Sequence, residues 1–535
     1  PNAGYAESSP ATYWNGLLFV GSEEGDAGQR GFEAAFNAKT GKQVWKYYTV
    51  PAPGHGWMPA KGDHGGGDVW MPSVVDPTLG LVYIGTGNPS PDFNNQDRPG
   101  CNQWANATVA LNAMTGKFVW GHTEYCNDVW DYDSHQGPIL FNMTINGKNT
   151  RVVGHGNKAG QYFIYNAKTG AVISHSAFLG GFSKPHLKPN PAGVKVCPGS
   201  SGGIEYGPPA YSPQTGMVYQ GSDTECMIYK TIPIADTNAH QQGQVDTGGS
   251  AASVGKISGA MNAIDPKTGK LAWKVSLTKP MNGGALATAG GLVFAGADDG
   301  HFYAFDAKTG KTLWSPDLGL GFGAPPIAYE VNGTEYIAVA VGGNLISAGD
   351  SIPLGGTLVV FKLNGKPVTK LPVVTNGVTV PVALPSLKGY TQVSKYVYVN
   401  AAQHHAIIQI VAGATGANSG FNFDGYAKGQ ATFTVPVHWS VDFEFKNLAA
   451  LPHSMAIADG HTAPAKLETF GFAPVTSANA MAGTISKNFQ LLGMDADHAG
   501  SFYLDCLVPG HLASGMWDNF VISATATTAS MTTTK

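Results

Sequence analysis

The stretch AFDAKTGKTLW, residues 304–314, recurs as AFNAKTGKQVW at 35–45, ALNAMTGKFVW at 110–120 and AIDPKTGKLAW at 263–273, with a degraded copy, IYNAKTGAVIS, at 164–174. Every copy has one layout. An apolar run ends in Asn or Asp, a turn centred on Thr-Gly follows, and in all but the degraded copy a second run carries a tryptophan. Glycine supplies the positive φ that such a reversal needs, so each copy reads as a β-hairpin. A hairpin repeated along a chain reads as the blades of a propeller. LGLVYIGTG (79–87), TGMVYQGS (215–222) and GGLVFAGA (290–297) supply further short strands after turns. The tryptophans are expected to tie neighbouring blades together by burying their rings.

Composition agrees with an all-β chain. Charged residues make up 13% of the 535 residues, about half the roughly 25% of ordinary soluble proteins, and the 71 glycines are about twice the usual roughly 7%. A coiled coil, a helical bundle and a charged disordered chain are thereby excluded, while 43% hydrophobic residues can fill a large core. With a net charge of −4 and no Lys/Arg block, nucleic acid and anionic membrane surfaces are set aside as partners. No run of about 18 apolar residues offers a membrane span. The start at Pro1 reads as a processed end or a cut, with any export signal or anchor upstream.

The repeat ends after TLVVFKL, so residues 1–363 form the propeller. Residues 364–394, rich in Pro, Gly and Thr, read as a linker, and 395–525 as a second domain. There Val441, Phe443 and Phe445 alternate with polar residues in the manner of a half-buried strand. Residues 526–535 are low in complexity and are expected to be disordered. Five cysteines leave one over after pairing, and their positions suggest Cys101 with Cys126 and Cys197 with Cys226, leaving Cys506 alone. Two disulfides place the chain outside a reducing cytosol; sequons at Asn106, Asn142 and Asn332 agree but weigh little.

YLDCLVPGHLASGMW (503–517) spaces Cys506, His511 and Met516 five residues apart, and LPHSM supplies His453. Two histidines, a thiolate and a thioether are the donors of a type 1, blue-copper centre, whereas methionine suits zinc poorly. From FNFDGYAKGQATFTV (421–435) through LPHSM to CLVPGHLASGMW, the chain resembles sulfocyanin, a cupredoxin β-sandwich of acid-loving archaea. That resemblance implies electron transfer outside the membrane at low pH, in an extracellular or cell-surface setting. His404 and His405 fall outside the motif and read as surface residues.

Residues 1–363 resemble the quinoprotein alcohol dehydrogenases, eight-bladed propellers holding pyrroloquinoline quinone (PQQ) and a metal; about six blades are present. The resemblance implies that Trp70 in GGGDVWMP floors the quinone and that Lys158 in GNKAGQYF contacts its oxygens. Asn88 in YIGTGNPSP would ligate the metal, calcium or a lanthanide. Where the family has glutamate, GDAGQRGF places Asp26, with Glu23 or Glu24 as substitutes. In VWDYDSH, Asp131 matches the catalytic base; Asp133, two residues on, would address the same cation from an extended backbone and favour a trivalent ion. The family's upstream blades, with an adjacent-cysteine disulfide over the quinone, are not found. A further chain or upstream sequence would have to complete the ring. Glu205 also stands where the family has asparagine.

The reading that follows is a secreted dehydrogenase that oxidises a small alcohol with PQQ. It passes electrons to the fused copper domain and on to a downstream acceptor. The alternatives are a non-enzymatic copper protein with a degenerate propeller as scaffold or assembly surface, and a propeller without quinone acting on a sulfur compound. Trp70, Asn88, Asp131 and Lys158 favour the first, and the missing blades the second.

Overall fold

The computed structural model describes residues 7–534 except 24, 28, 53, 58–64, 183–186, 234–246, 343–356, 366–386, 416, 448–454, 459–468, 471–472, 475–489, 497–498, 507–510 and 513. The chain divides into two compact units, Pro1–Val373 and Val374–Lys535.

In the first unit, five four-stranded antiparallel sheets follow one another as blades. Blade 1 runs from Thr12–Trp14 to Gln43–Tyr48, blade 2 from Val74–Asp76 to Phe118–Thr123, and blade 3 from Ile139–Ile145 to Val172–His175. Blade 4 runs from Ala210–Ser212 to Leu271–Leu277 and blade 5 from Ala285–Ala287 to Thr312–Trp314. A sixth sheet, Ile327–Val331, Thr334–Val341 and Thr357–Lys362, has three strands. A further three-stranded sheet (Val194–Val196, Met227–Thr231, Gly249–Ser253) is inserted around blade 4 and was not anticipated.

The repeated tryptophans clamp each blade to the next. Trp45, Trp120 and Trp273 donate Nε1–H to the carbonyls of Ala113, Ala167 and Ala307, each at 3.0 Å. Each acceptor lies in the Thr-Gly turn of the following blade, and the ring lies flat on that turn's glycine. A Cβ on Gly116 would sit 2.6 Å from Trp45 Cδ2, and one on Gly310 2.7 Å from Trp273. Those glycines are thus required twice, for positive φ and for ring contact. Blade 3 lacks the tryptophan, and there the Ser174 hydroxyl donates to Pro266 O at 2.6 Å, the equivalent acceptor in blade 4. Trp314 departs from expectation. It is 41% exposed and meets Phe361 of the sixth sheet edge-on, because that sheet offers no Thr-Gly turn.

The second unit is built from two five-stranded sheets. One contains His405–Ala412 paired in parallel with Ser440–Asn447; the other contains Ala431–Pro436 paired in parallel with Trp517–Ser523. Between them Ile408, Ile410, Phe433, Phe443, Phe445 and Phe520 form one apolar core. Three sequence expectations need correction. Glu444 is buried on the opposite face, where Gln409 Nε2 donates to it at 2.8 Å, so that strand is covered on both sides. Ser530–Thr533, expected to be disordered, pairs antiparallel with Ala431–Pro436, since β-branched threonine suits an edge strand despite its low-complexity setting. The linker's last residues, Thr391–Ser394, already form the first strand of the second unit. His404 is exposed; His405 is half-buried, with Tyr390 Oη 2.7 Å from its Nδ1.

Candidate functional site

The strand Gly500–Asp505 delivers Cys506 at its end. Cys506 N–H donates to Met516 O (3.2 Å) and Met516 N–H to His511 O (3.0 Å), so the loop folds back and gathers the three side chains. Cys506 Sγ lies 3.5 Å from His511 Nδ1. Cys506 and Met516 are fully buried and His511 nearly so. The Phe421 ring stands edge-on to His511 at 4.8 Å, and Asn418 Nδ2 donates to Ser514 O, so the segment before the second sheet braces the loop. Burial lowers the His511 pKa, keeping the ring in the neutral form that a metal ligand requires. Sulfur, nitrogen and sulfur donors drawn together in an apolar shell fit copper. The fourth residue of the sequence motif, His453, lies outside the described residues.

In the propeller unit, three segments are woven together by main-chain bonds. Gly31 N–H donates to Gly66 O, Gly67 N–H to Asn88 O and Gly87 N–H to Asp68 O. A Cβ at Gly25 would meet Asp68 Oδ1 at 2.8 Å, and one at Gly87 would overlap it, so both glycines make room for that buried carboxylate. The Asn88 N–H donates to Asp133 Oδ1 at 2.6 Å, and Asn88 Nδ2 to Asp92 Oδ1 at 2.9 Å. Lys158 Nζ sits between Asp131 Oδ1 (3.1 Å) and Asp133 Oδ2 (2.8 Å). Asp26 is partly exposed and shares a hydrogen bond with Asp92.

The backbone at Asp131 is not extended as expected. Its φ is +64°, because the Asp128 carboxylate takes the N–H groups of Trp130 and Tyr132 and forces a turn; both carboxylates nevertheless reach Lys158. Asp tolerates this left-handed conformation better than most residues. Trp70 stacks on His135 at 4.1 Å with the planes 8° apart, and Lys158 Nζ lies 5.9 Å from the indole centroid. His135 Nε2 is 3.5 Å from Glu205 Oε2. Burial raises the pKa values of Asp68, Asp92 and Asp131, reinforced by their carboxylate neighbours. Asp133 is also buried, but Lys158, His135 and the Asn88 N–H outweigh burial and hold it low.

Among the described residues no three His, Cys, Asp or Glu side chains are drawn together as a ready metal cage. The donor set nevertheless fits a hard cation: the oxygens of Asp26, Asp68, Asp92, Asp131, Asp133 and Asn88 share one neighbourhood, and the Lys158 ammonium already bridges two of the carboxylates. The sequence motifs found Asp26, Asn88, Asp131, Asp133, Lys158 and Trp70, which the structure brings into one neighbourhood. They missed Asp68, Asp92 and His135. Asp68 stands two residues before Trp70 inside the quoted glycine motif, and Asp92 follows Asn88 by four residues. The two disulfides join Cys101 to Cys126 and Cys197 to Cys226. Among the described residues no helix is long and apolar enough to cross a membrane.

Fold and sites together define a β-propeller unit joined to a cupredoxin-like β-sandwich. Residues 1–175 match the glucose/ethanol/alcohol dehydrogenase β-propeller domain, 393–533 the sulfocyanin (SoxE) domain, and 211–420 the model of outer membrane protein assembly factor BamB. The chain is thus a propeller of the PQQ alcohol dehydrogenase type followed by a sulfocyanin domain. It is 32% identical over 433 residues to the dehydrogenase subunit of the quinone alcohol dehydrogenase of Acetobacter aceti, covering 69% of this chain and 57% of that one. It is 31% identical over 349 residues to the lanthanide-dependent methanol dehydrogenase of Methylacidiphilum fumariolicum, covering 50% and 57%. Among solved structures, quinohemoprotein alcohol dehydrogenase ADHIIG from Pseudomonas putida HK5 superposes with a TM-score of 0.62 at 28% identity, covering 69% of this chain and 62% of that one. A europium-containing methanol dehydrogenase gives 0.60 at 27%, covering 68% and 74%. The chain spans somewhat over half the length of the curated relatives it matches.

Proposed function

We propose that the chain oxidises an alcohol in its propeller unit and passes the electrons, one at a time, to copper in its sulfocyanin unit. PQQ, when bound, supplies a two-electron acceptor, and a calcium or lanthanide ion beside it supplies Lewis acidity. The Asp131 carboxylate takes the hydroxyl proton; its raised pKa makes it a better base than an exposed aspartate. Asn88, Asp26, Asp131 and Asp133 would hold the ion, Trp70 would lie beneath the flat ring, and Lys158 would place positive charge at its edge. Cys506, His511, Met516 and His453 would hold copper. A tethered acceptor works at millimolar effective concentration when its linker spans the distance. The observation that carries this reading is Lys158 bridging Asp131 and Asp133, with Asn88 bound to the second.

The test supplies the protein, together with any upstream sequence, with PQQ, calcium or lanthanum, copper and a short alcohol, and follows the copper band near roughly 600 nm. Bleaching on alcohol addition, dependent on PQQ, is the expected result. If PQQ does not bind and alcohol leaves copper oxidised, the scaffolded copper protein replaces this reading.

We further infer an acidic, extracellular or cell-surface setting, supported by two disulfides and by buried carboxyls. Burial raises Glu33 to about 8 and Asp505 and Asp518 to about 7, from 4.5, 3.8 and 3.8. A carboxyl raised on folding contributes stability that is fully present below its unfolded pKa and is lost as pH rises through the folded value. Both units are therefore expected to melt at higher temperature at pH 5 than at pH 8.5. Calorimetry showing the reverse order would count against the inferred setting.

A further inference from the structure

We propose that Asp92 is an additional carboxylate of the propeller's cation site and biases it toward a trivalent ion. The inference rests on the metal reading given above and extends it to a residue that no motif pointed to. Asp92 is 2% exposed, its Oδ1 accepts from Asn88 Nδ2 at 2.9 Å, and its carboxyl is hydrogen-bonded to that of Asp26. It therefore touches two of the expected ligands.

A structural role would look different, and the same region shows how. Asp128, also buried, is met by the backbone N–H groups of Trp130 and Tyr132, which satisfy it within its own turn. Arg98 lies near both aspartates, but its guanidinium goes to the carbonyls of Pro91, Asp92 and Asp128 and to Asn102 Oδ1 rather than to either carboxylate. Asp92 is left with its carboxyl on Asn88 and Asp26, in the field of Asp131 and Asp133, and Arg98 is the cation whose charge it feels. Two like charges about 4 Å apart repel by about 4 kcal/mol at an effective dielectric of about 20. A cation among them turns that repulsion into attraction, and the gain per carboxylate grows with the charge of the ion. Each added carboxylate thus favours a trivalent over a divalent cation, as charge count tunes affinity in calcium sites.

The test measures ion binding on the metal-free full chain, with no turnover involved. Terbium is followed by its luminescence and calcium by titration calorimetry, on wild type, Asp92→Asn and Asp92→Glu. Asp92→Asn is expected to weaken terbium about tenfold or more and calcium clearly less, while Asp92→Glu, which keeps the charge, retains most of the terbium affinity. Circular dichroism and copper colour report whether each variant folds; if Asp92→Asn does not, the glutamate variant decides, since terbium binding lost in a folded Asp92→Glu overturns the proposal. Equal affinities in wild type and Asp92→Asn also overturn it. Equal weakening of both ions reduces Asp92 to a residue that only positions Asn88, and the selectivity claim fails. A wild-type chain that binds neither ion defeats the underlying metal reading, and this inference falls with it.

Discussion

Replacing Cys506 with serine removes the blue colour of the copper-loaded, oxidised protein. The colour comes from charge transfer between the cysteine thiolate and Cu(II), and Cys506 is the cysteine that lies outside the two disulfides. Serine is similar in shape, so the sheet packing around position 506 survives. Its hydroxyl neither ionises near neutral pH nor donates sulfur density. The band near roughly 600 nm is therefore expected to vanish altogether rather than shift, while the far-ultraviolet dichroism of the domain stays as in wild type. A serine variant that remained blue would mean that the ligand loop has been misread.

The second large effect is expected at Asp131. Asp131→Asn should lower alcohol-dependent reduction of copper by about two to four orders of magnitude, the usual worth of a positioned general base. Asparagine suits this test because it tolerates the left-handed backbone that Asp131 adopts, whereas alanine would add strain and blur the result. Copper colour should be unchanged, since Cys506, His511 and Met516 lie in the other compact unit. Stopped-flow reduction of the copper band separates the outcomes: a normal rate in Asp131→Asn would show that the proton leaves by another route.

The parts of this molecule legible in the sequence are those written as a repeat or a run. The Thr-Gly turn followed by tryptophan marked the blades because one hairpin, with one glycine geometry, is used again and again. The copper loop was legible because Cys506, His511 and Met516 stand on a single short segment whose residue types already state the chemistry. Asp68 and Asp92 were not. Their carboxylates join Asp131 and Asp133 only after loops of different blades meet, and sequence spacing holds no record of that meeting. The serine that replaces a tryptophan in blade 3 was visible as a degraded copy, yet that its hydroxyl would take over the same acceptor could be seen only in three dimensions. The strand Ser530–Thr533 was hidden by composition, since a Thr-rich run reads as a tail until an unpaired sheet edge is known to lie beside it.

That serine has a consequence for how the propeller comes apart. Wherever a buried tryptophan clamps two blades, removing the ring would cost about 3–5 kcal/mol. At the seam between blades 3 and 4, a hydroxyl and the chain around His175 stand in place of that ring at the turn, while elsewhere along the seam Phe141 stacks on Tyr211 at 4.0 Å. Local opening follows the least apolar contact, so the turn at 265–269, where Ser174 takes the tryptophan's place, should exchange its backbone amides with heavy water ahead of the turns covered by Trp45 and Trp120. Uniform exchange across all seams would contradict this. Gln136 spans the same boundary, its Nε2 donating to Gly207 O at 2.7 Å and to Gln220 Oε1 at 3.0 Å. One residue before it, His135 faces Glu205 on the far side. Breathing along this line would therefore loosen Gln136 and, beside it, the His135 ring that lies flat against Trp70, so that motion at an outer turn is felt at the candidate site.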